Sequence, residues 1–168
     1  MKYIQISLFI LLTLTILLLV GCNSQSSLPS KMPSDFNFIF SYGVDSKNKL
    51  DTQKNEFTKD MIADPSITTS LKLSPKDMNK IYSEIQKSKI LNYPEVFTPE
   101  SDVRQTPYTT YKFKVTIDGT TKSILWKDES DSNSKEATEL RSFFQTIIKT
   151  IESKPEYKNL PESNGGYC

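Results

Sequence analysis

The chain has 168 residues and a mass of 19.2 kDa, with 21 Lys and Arg against 20 Asp and Glu and no His. That balance lacks the basic excess of a nucleic-acid-binding domain, and the missing His excludes imidazole catalysis and His metal ligands. The length predicts one folded domain, with a core that leans on 9 Phe, 8 Tyr and 1 Trp.

The first element is an apolar run of 17 residues, Ile4 to Val20, behind a single charge at Lys2 and interrupted only by Gln5, Ser7, Thr13 and Thr15. A short basic start, an apolar middle and small residues at the end read as a secretory signal. An uncleaved anchor is the alternative, at the short limit of what crosses a bilayer. The run stops at Leu19-Val20-Gly21-Cys22, which resembles the lipobox of bacterial lipoproteins. The resemblance implies cleavage after Gly21, a diacylglyceryl thioether on Cys22 and acylation of its new amino group. Each buried CH₂ contributes ~0.8 kcal/mol, so two or three chains hold where one does not. The expected location is the cell membrane, lipid-anchored on the extracytoplasmic face, with the bilayer as partner through acylated Cys22.

Loss of residues 1–21 removes Lys2 and leaves basic and acidic side chains equal in number. Nothing then steers the domain to an anionic membrane surface, and the anchor is the lipid. With Cys22 acylated, Cys168 remains, and one thiol forms no internal disulfide. At a chain end it lacks the ordered base that a reactive thiol needs. The basic residues are 19 Lys and 2 Arg, Arg104 and Arg141, a bias that goes with AT-rich, low-GC Gram-positive genomes.

Residues 22–34 are Ser- and Pro-rich and read as a flexible tether. The domain is expected over 35–155. Phe36, Phe38, Phe40 and Tyr42 alternate with Asn37, Ile39 and Ser41 and predict a strand ended by Gly43. Leu50 to Met61 predicts two short strands or one bulged strand about Lys54-Asn55. Asp64-Pro65 predicts a turn, and Ile67 to Leu73 another strand. Ser74-Pro75-Lys76-Asp77 opens a helix whose apolar face is Met78, Ile81, Tyr82 and Ile85. It is expected to end near Ser88.

Residues 92–108 hold three Pro and no period. Tyr111, Phe113, Val115 and Ile117 then alternate with polar residues up to Asp118-Gly119, a type I′ hairpin turn, and Thr120 to Trp126 returns. Asn133 with Glu136 resembles a capping box. From there Ala137, Leu140, Phe143, Phe144, Ile147, Ile148 and Ile151 form a broad stripe that Pro155 stops. Residues 156–168 read as a polar tail. The expected fold class is α+β: an antiparallel sheet of four to six strands with two amphipathic helices on one face.

Three constellations could carry chemistry. Asp128, Ser130, Ser132, Ser134, Glu136 and Glu139 take the ligand positions of a calcium loop, but Asn133 stands where the turn wants Gly, and a solvated helix entry explains them better. No metal or other cofactor is expected. Asp60 with Asp64, and Glu95 with Glu100, could serve as paired carboxylates. Ser83/Lys87 and Ser88/Lys89 are Ser–Lys pairs that 19 Lys make by chance. The segment 92–108 exceeds the length of an ordinary connection and carries Tyr93, Phe97, Arg104 and Tyr108, types enriched at binding hot spots. Tyr93, Arg104 and Tyr108 are the binding candidates, with Phe97 expected to be buried and Tyr108 and Arg104 at least partly exposed; the alternative is that Tyr93 and Phe97 plug the sheet edge as core.

The stretches YGVDSKNKLDT, TKDMIADPSITT and NGGY resemble elements of small lipoproteins of Gram-positive bacteria. No activity comes with that resemblance. The reading is a membrane-tethered, non-enzymatic module that binds an envelope protein or glycan. An envelope hydrolase using carboxylates and a small inhibitor or immunity lipoprotein are the alternatives.

Overall fold

A computed structural model describes residues 28–130 and 132–167. The signal segment, the lipobox with Cys22, and Cys168 lie outside the described residues. The domain is α+β, with one sheet of seven strands in place of the four to six expected. The strands are β1 (Asn37–Tyr42), β2 (Asn48–Asp51), β3 (Glu56–Met61), β4 (Asp64–Ser70), β5 (Val96–Phe97), β6 (Thr109–Ile117) and β7 (Thr120–Asp128). Their order is β4-β3-β2-β1-β6-β7-β5. Every pairing is antiparallel except β5 on β7.

Leu50 to Met61 takes the two-strand form of its expected readings, dividing at residues 52–55, where Asp51 Oδ1 accepts the N–H groups of Gln53 and Lys54 (both 3.1 Å) and Asn55 takes a φ of 55°. The added strand has a local cause. β5 lies in the Pro-rich segment, where no periodicity could announce a two-residue strand. Asp64-Pro65 is the start of β4 and not a turn. The chain reverses just before it at Ile62 (φ 65°), and Pro65 is accommodated because β4 is an edge strand. The β6–β7 turn is the expected one, with positive φ at Asp118 (49°) and Gly119 (72°). Asp35 clamps it, its carboxylate accepting N–H from Gly119 (2.7 Å) and Asp118 (3.0 Å). Those bonds, Gly119 first, hold the Asp35 carboxyl below its usual value.

One face of the sheet is aromatic. Phe38, Phe40, Leu50, Phe57, Phe113 and Trp126 are fully buried. Helix α1 (Pro75–Lys87) and helix α2 (Lys135–Glu152) cover this face. Tyr82 of α1 meets Phe36 edge-on at 5.2 Å. Phe144 of α2 stacks on Phe40 at 5.1 Å and on Tyr111 at 4.8 Å. α1 starts with the Ser74/Asp77 capping box. Ser74, Asp77 and Lys154 form a cluster tying the start of α1 to the end of α2. α2 is capped by Ser134, whose hydroxyl accepts the Ala137 N–H (3.2 Å), and not by the expected Asn133/Glu136 box.

The folded part extends past the 35–155 expected. Leu28 and Met32 pack against the core, and the Pro29 carbonyl accepts from Tyr82 Oη and Gln86 Nε2 (both 2.7 Å). Two apolar residues in a Ser/Pro-rich setting were enough to dock this part of the expected tether. At the other end Pro155 opens a short helix, α3 (Pro155–Lys158), as Pro does in a first turn. Tyr157 packs on Phe57 at 5.6 Å. Lys59 Nζ donates to the Pro161 carbonyl (2.7 Å), Ser163 Oγ donates to the Asp60 carbonyl (2.8 Å), and Asn164 pairs with Ile62. The polar tail is thus held by hydrogen bonds, which a hydropathy pattern does not register.

Candidate functional site

The segment 92–108 is anchored in the sheet. Val96 and Phe97 pair with Leu125 and Trp126, and the Leu125 N–H donates to the Glu95 carbonyl (2.7 Å). Phe97 is buried as expected, edge-on to Trp126 at 5.2 Å and to Tyr93 at 5.3 Å. Tyr93 is buried too, so of its two expected roles it takes that of a ring plugging the sheet edge and not that of an exposed binding contact. It donates its hydroxyl to the Glu136 carbonyl (2.9 Å) because a ring under a loop must satisfy its polar end internally. Burial pushes its phenol up to about 12, with Glu139 and Glu136 adding to the effect.

Arg104 is exposed and Tyr108 half-buried. Arg104 pairs with Glu129, and the Gln105 N–H donates to the Glu129 carbonyl (2.8 Å), so the loop is tied down onto the end of β7. The structure does not bring the three candidates together. Tyr93 lines a cavity of about 380 Å³ on the helix side, with Lys89, Lys135, Glu136 and Glu139. Arg104 lines a different cavity, and Tyr108 lines neither.

The Arg104 cavity lies directly against the segment. It holds about 360 Å³ between the loop and β7, walled by Phe97, Pro99 and Leu125 and rimmed by Arg104, Lys127 and Glu129. Through Val96 and Leu125 it runs into a shallow depression of about 390 Å³ on the uncovered face of the sheet, lined by Ile39, Lys112, Lys114 and Ser123. Val96 is 56% exposed. The whole forms an apolar strip, Ile39–Leu125–Val96–Pro99, flanked by cations. Lys112, Lys114 and Lys127 have no ion-pair partner among the described residues, so their charge is available to a ligand.

Ile39, Val96, Leu125, Lys112, Lys114 and Lys127 were missed as site residues. The signal was a break of phase. Strand alternation puts Asn37, Ile39 and Ser41 on the uncovered face, and likewise Ser123, Leu125 and Lys127. Ile39 and Leu125 are the apolar residues at these outward positions, and the pairings Ile39↔Lys114 and Lys112↔Leu125 place them close together.

Several members of the other constellations are engaged in contacts that hold the fold. Asp128 receives Arg141 in a two-bond fork, Nε at 2.9 Å and Nη2 at 2.7 Å, while Arg141 lies over the Trp126 ring at 5.0 Å. The hydrogen bonds to Asp128 raise the Arg141 pKa above its ordinary value. With Asp128 committed to Arg141 and Ser134 committed to a helix cap, the calcium-loop positions serve the fold. Asp60 is buried and accepts from the Ile62 N–H (3.0 Å) and from Tyr167, whereas Asp64 is exposed on the edge strand. Glu95 and Glu100 are both exposed. Lys87 pairs with Glu84 (2.8 Å), and Ser88 donates to the Glu84 carbonyl (2.6 Å). Among the described residues no group of three or more His, Cys, Asp or Glu converges on a point, and no helix is long and apolar enough to cross a membrane. No family model matches the chain, and no curated protein matches it either.

Proposed function

We propose that the protein is a lipid-anchored module on the extracytoplasmic face of the cell membrane that binds another envelope component without chemistry on it. The observation that carries this reading is the groove beneath residues 98–104 and its continuation onto the uncovered sheet face. It joins apolar walls to cations, the combination found where ligand pockets fix an apolar body by a few charged groups. The three lysines unpaired among the described residues favour an anionic partner. A carboxylate-based hydrolase finds less support, since Asp64, Glu95 and Glu100 are exposed and Asp60 is engaged by Ile62 and Tyr167.

The anchor follows from Leu19-Val20-Gly21-Cys22 and its likeness to lipoboxes. Cys22→Ala should block processing and leave the membrane-associated form without a fatty-acid label, because the thioether requires that sulfur. A mature N-terminus other than modified Cys22, seen by mass spectrometry, would remove the anchor.

The binding reading is tested by placing a photo-crosslinking residue at Val96 in cells. A discrete adduct should form there, and none from the same residue at exposed Lys80 on the helix side. Equal labelling at both sites, or none at Val96, would refute it.

A further inference from the structure

The two edges of the sheet are closed off differently. β5 is two residues long and lies beneath its own loop. β4 runs for seven residues, and nothing pairs with its outer side among the described residues. Soluble proteins usually blunt such an edge with Pro, a bulge or charge. β4 has these devices only at its start, in Asp64, Pro65 and a register shift opposite Lys59 and Met61. From Ser66 to Ser70 the strand reads Ser-Ile-Thr-Thr-Ser, uncharged and β-branched at its centre.

The backbone direction can be assigned. The Leu71 N–H donates to the Asn55 carbonyl at 2.8 Å. Alternation then turns the N–H and C=O of Thr69 and Ile67 inward to β3, opposite Phe57 and Lys59, and those of Ser66, Thr68 and Ser70 outward. These three residues offer an unpaired ladder with their side chains exposed.

We propose that this edge pairs with β4 of a second copy of the chain, antiparallel and two-fold symmetric about Thr68. In that register Thr68 faces Thr68 of the partner copy, and Ser66 faces Ser70. Every outward group is then used, in about six backbone hydrogen bonds. No like charges oppose one another. The same two-fold sets exposed Asp64 across from exposed Lys72 at each end, so the flanks are complementary in charge. A register shifted by one residue at the centre would set Asp64 against Ser70 and leave Lys72 unmatched. The two sheets would become one continuous sheet of both copies.

So short a strand buries less than the ~1,200 Å² of a stable standard interface. The pairing is therefore weak in dilute solution and depends on crowding of anchored chains in one plane, which rests on the lipid-anchor reading. The test is hydrogen exchange on the full chain reconstituted on vesicles, read by mass spectrometry over the segment 64–72 at rising surface density. Flotation with the vesicles reports the anchor separately. The amides of Ser66, Thr68 and Ser70 should gain protection with density. Asp64→Lys should abolish the gain, and Asp64→Lys with Lys72→Asp should restore it. Thr68→Pro, tolerated at an outward edge position, should abolish the gain with the helix signal intact. If vesicle-bound protein shows no density-dependent protection, the self-pairing is wrong. Protection that the double swap fails to restore would mean another interface. Protection that needs added envelope material would mean another strand on this edge.

Discussion

On the helix-covered face of the sheet, β1, β6 and β7 present Phe38, Phe40, Phe113, Ile124 and Trp126, all at most 2% exposed. On the opposite face the same strands present Ser41, Lys112, Lys114, Ser123 and Lys127, with Ile39 and Leu125 among them. Both faces arise from one alternation, so the burial of one set fixes the direction of the other. The first face is filled by rings packed beneath the helices. The second has no packing duty, so apolar residues and unpaired cations there need another explanation. That difference separates what holds the domain from what it can touch.

Substitutions across the two faces should therefore differ in kind. Phe144→Ala on α2 removes the ring shared by Phe40, Tyr111 and Phe113 and should cost about 3–5 kcal/mol in chemical denaturation. A cost below ~1 kcal/mol would mean that α2 is not docked through this ring. Asp128→Ala strips Arg141 of its fork beside Trp126 and should cost about 1.5–3 kcal/mol, as loss of hydrogen bonds to a charged group does.

Asp77→Asn tests the seam between the helices. Burial works against the Asp77 carboxylate, but hydrogen bonds from Lys154 and Ser74 outweigh it and lower its pKa. A folded pKa below the unfolded value of ~3.9 gives stability that is present above about pH 4 and lost as pH falls through the lowered value. The variant should be less stable by about 0.5–2 kcal/mol near neutrality, and the gap should close below about pH 4. A gap that persists in acid would assign the effect to packing. On the open face, Lys112→Ala with Lys114→Ala should change stability by less than about 0.5 kcal/mol per site. A larger loss would mean that this face is structural after all.

The parts of the molecule that depend on repetition were legible in the sequence. The Phe36–Tyr42 alternation, the Asp118-Gly119 hairpin, the Ser74 cap and the Ala137–Ile151 stripe are local signals, and each became the expected element. What was not legible depends on single contacts between distant segments. The docking of Pro29 under Tyr82, the clasp of Ser163 and Asn164 on β3, and the two-residue β5 are hydrogen-bonded features with no period. The candidate site divides in the same way. Arg104 was found because its residue type stands out in a Lys-rich chain. Tyr93 stayed open between contact and core because an aromatic in a loop reads alike whether it faces in or out. Val96 and Leu125 meet only when β5 joins the sheet.

The most direct test of the account combines Val96→Ser with Arg104→Ala on opposite sides of the groove, using a photo-crosslinking residue at Leu125 to read binding in cells. Both residues are exposed, so the thermal midpoint should move by no more than ~4 °C while the Leu125 adduct is lost. An adduct that persists at full yield on the folded double variant, or a variant that unfolds, would contradict the assignment of this groove to binding.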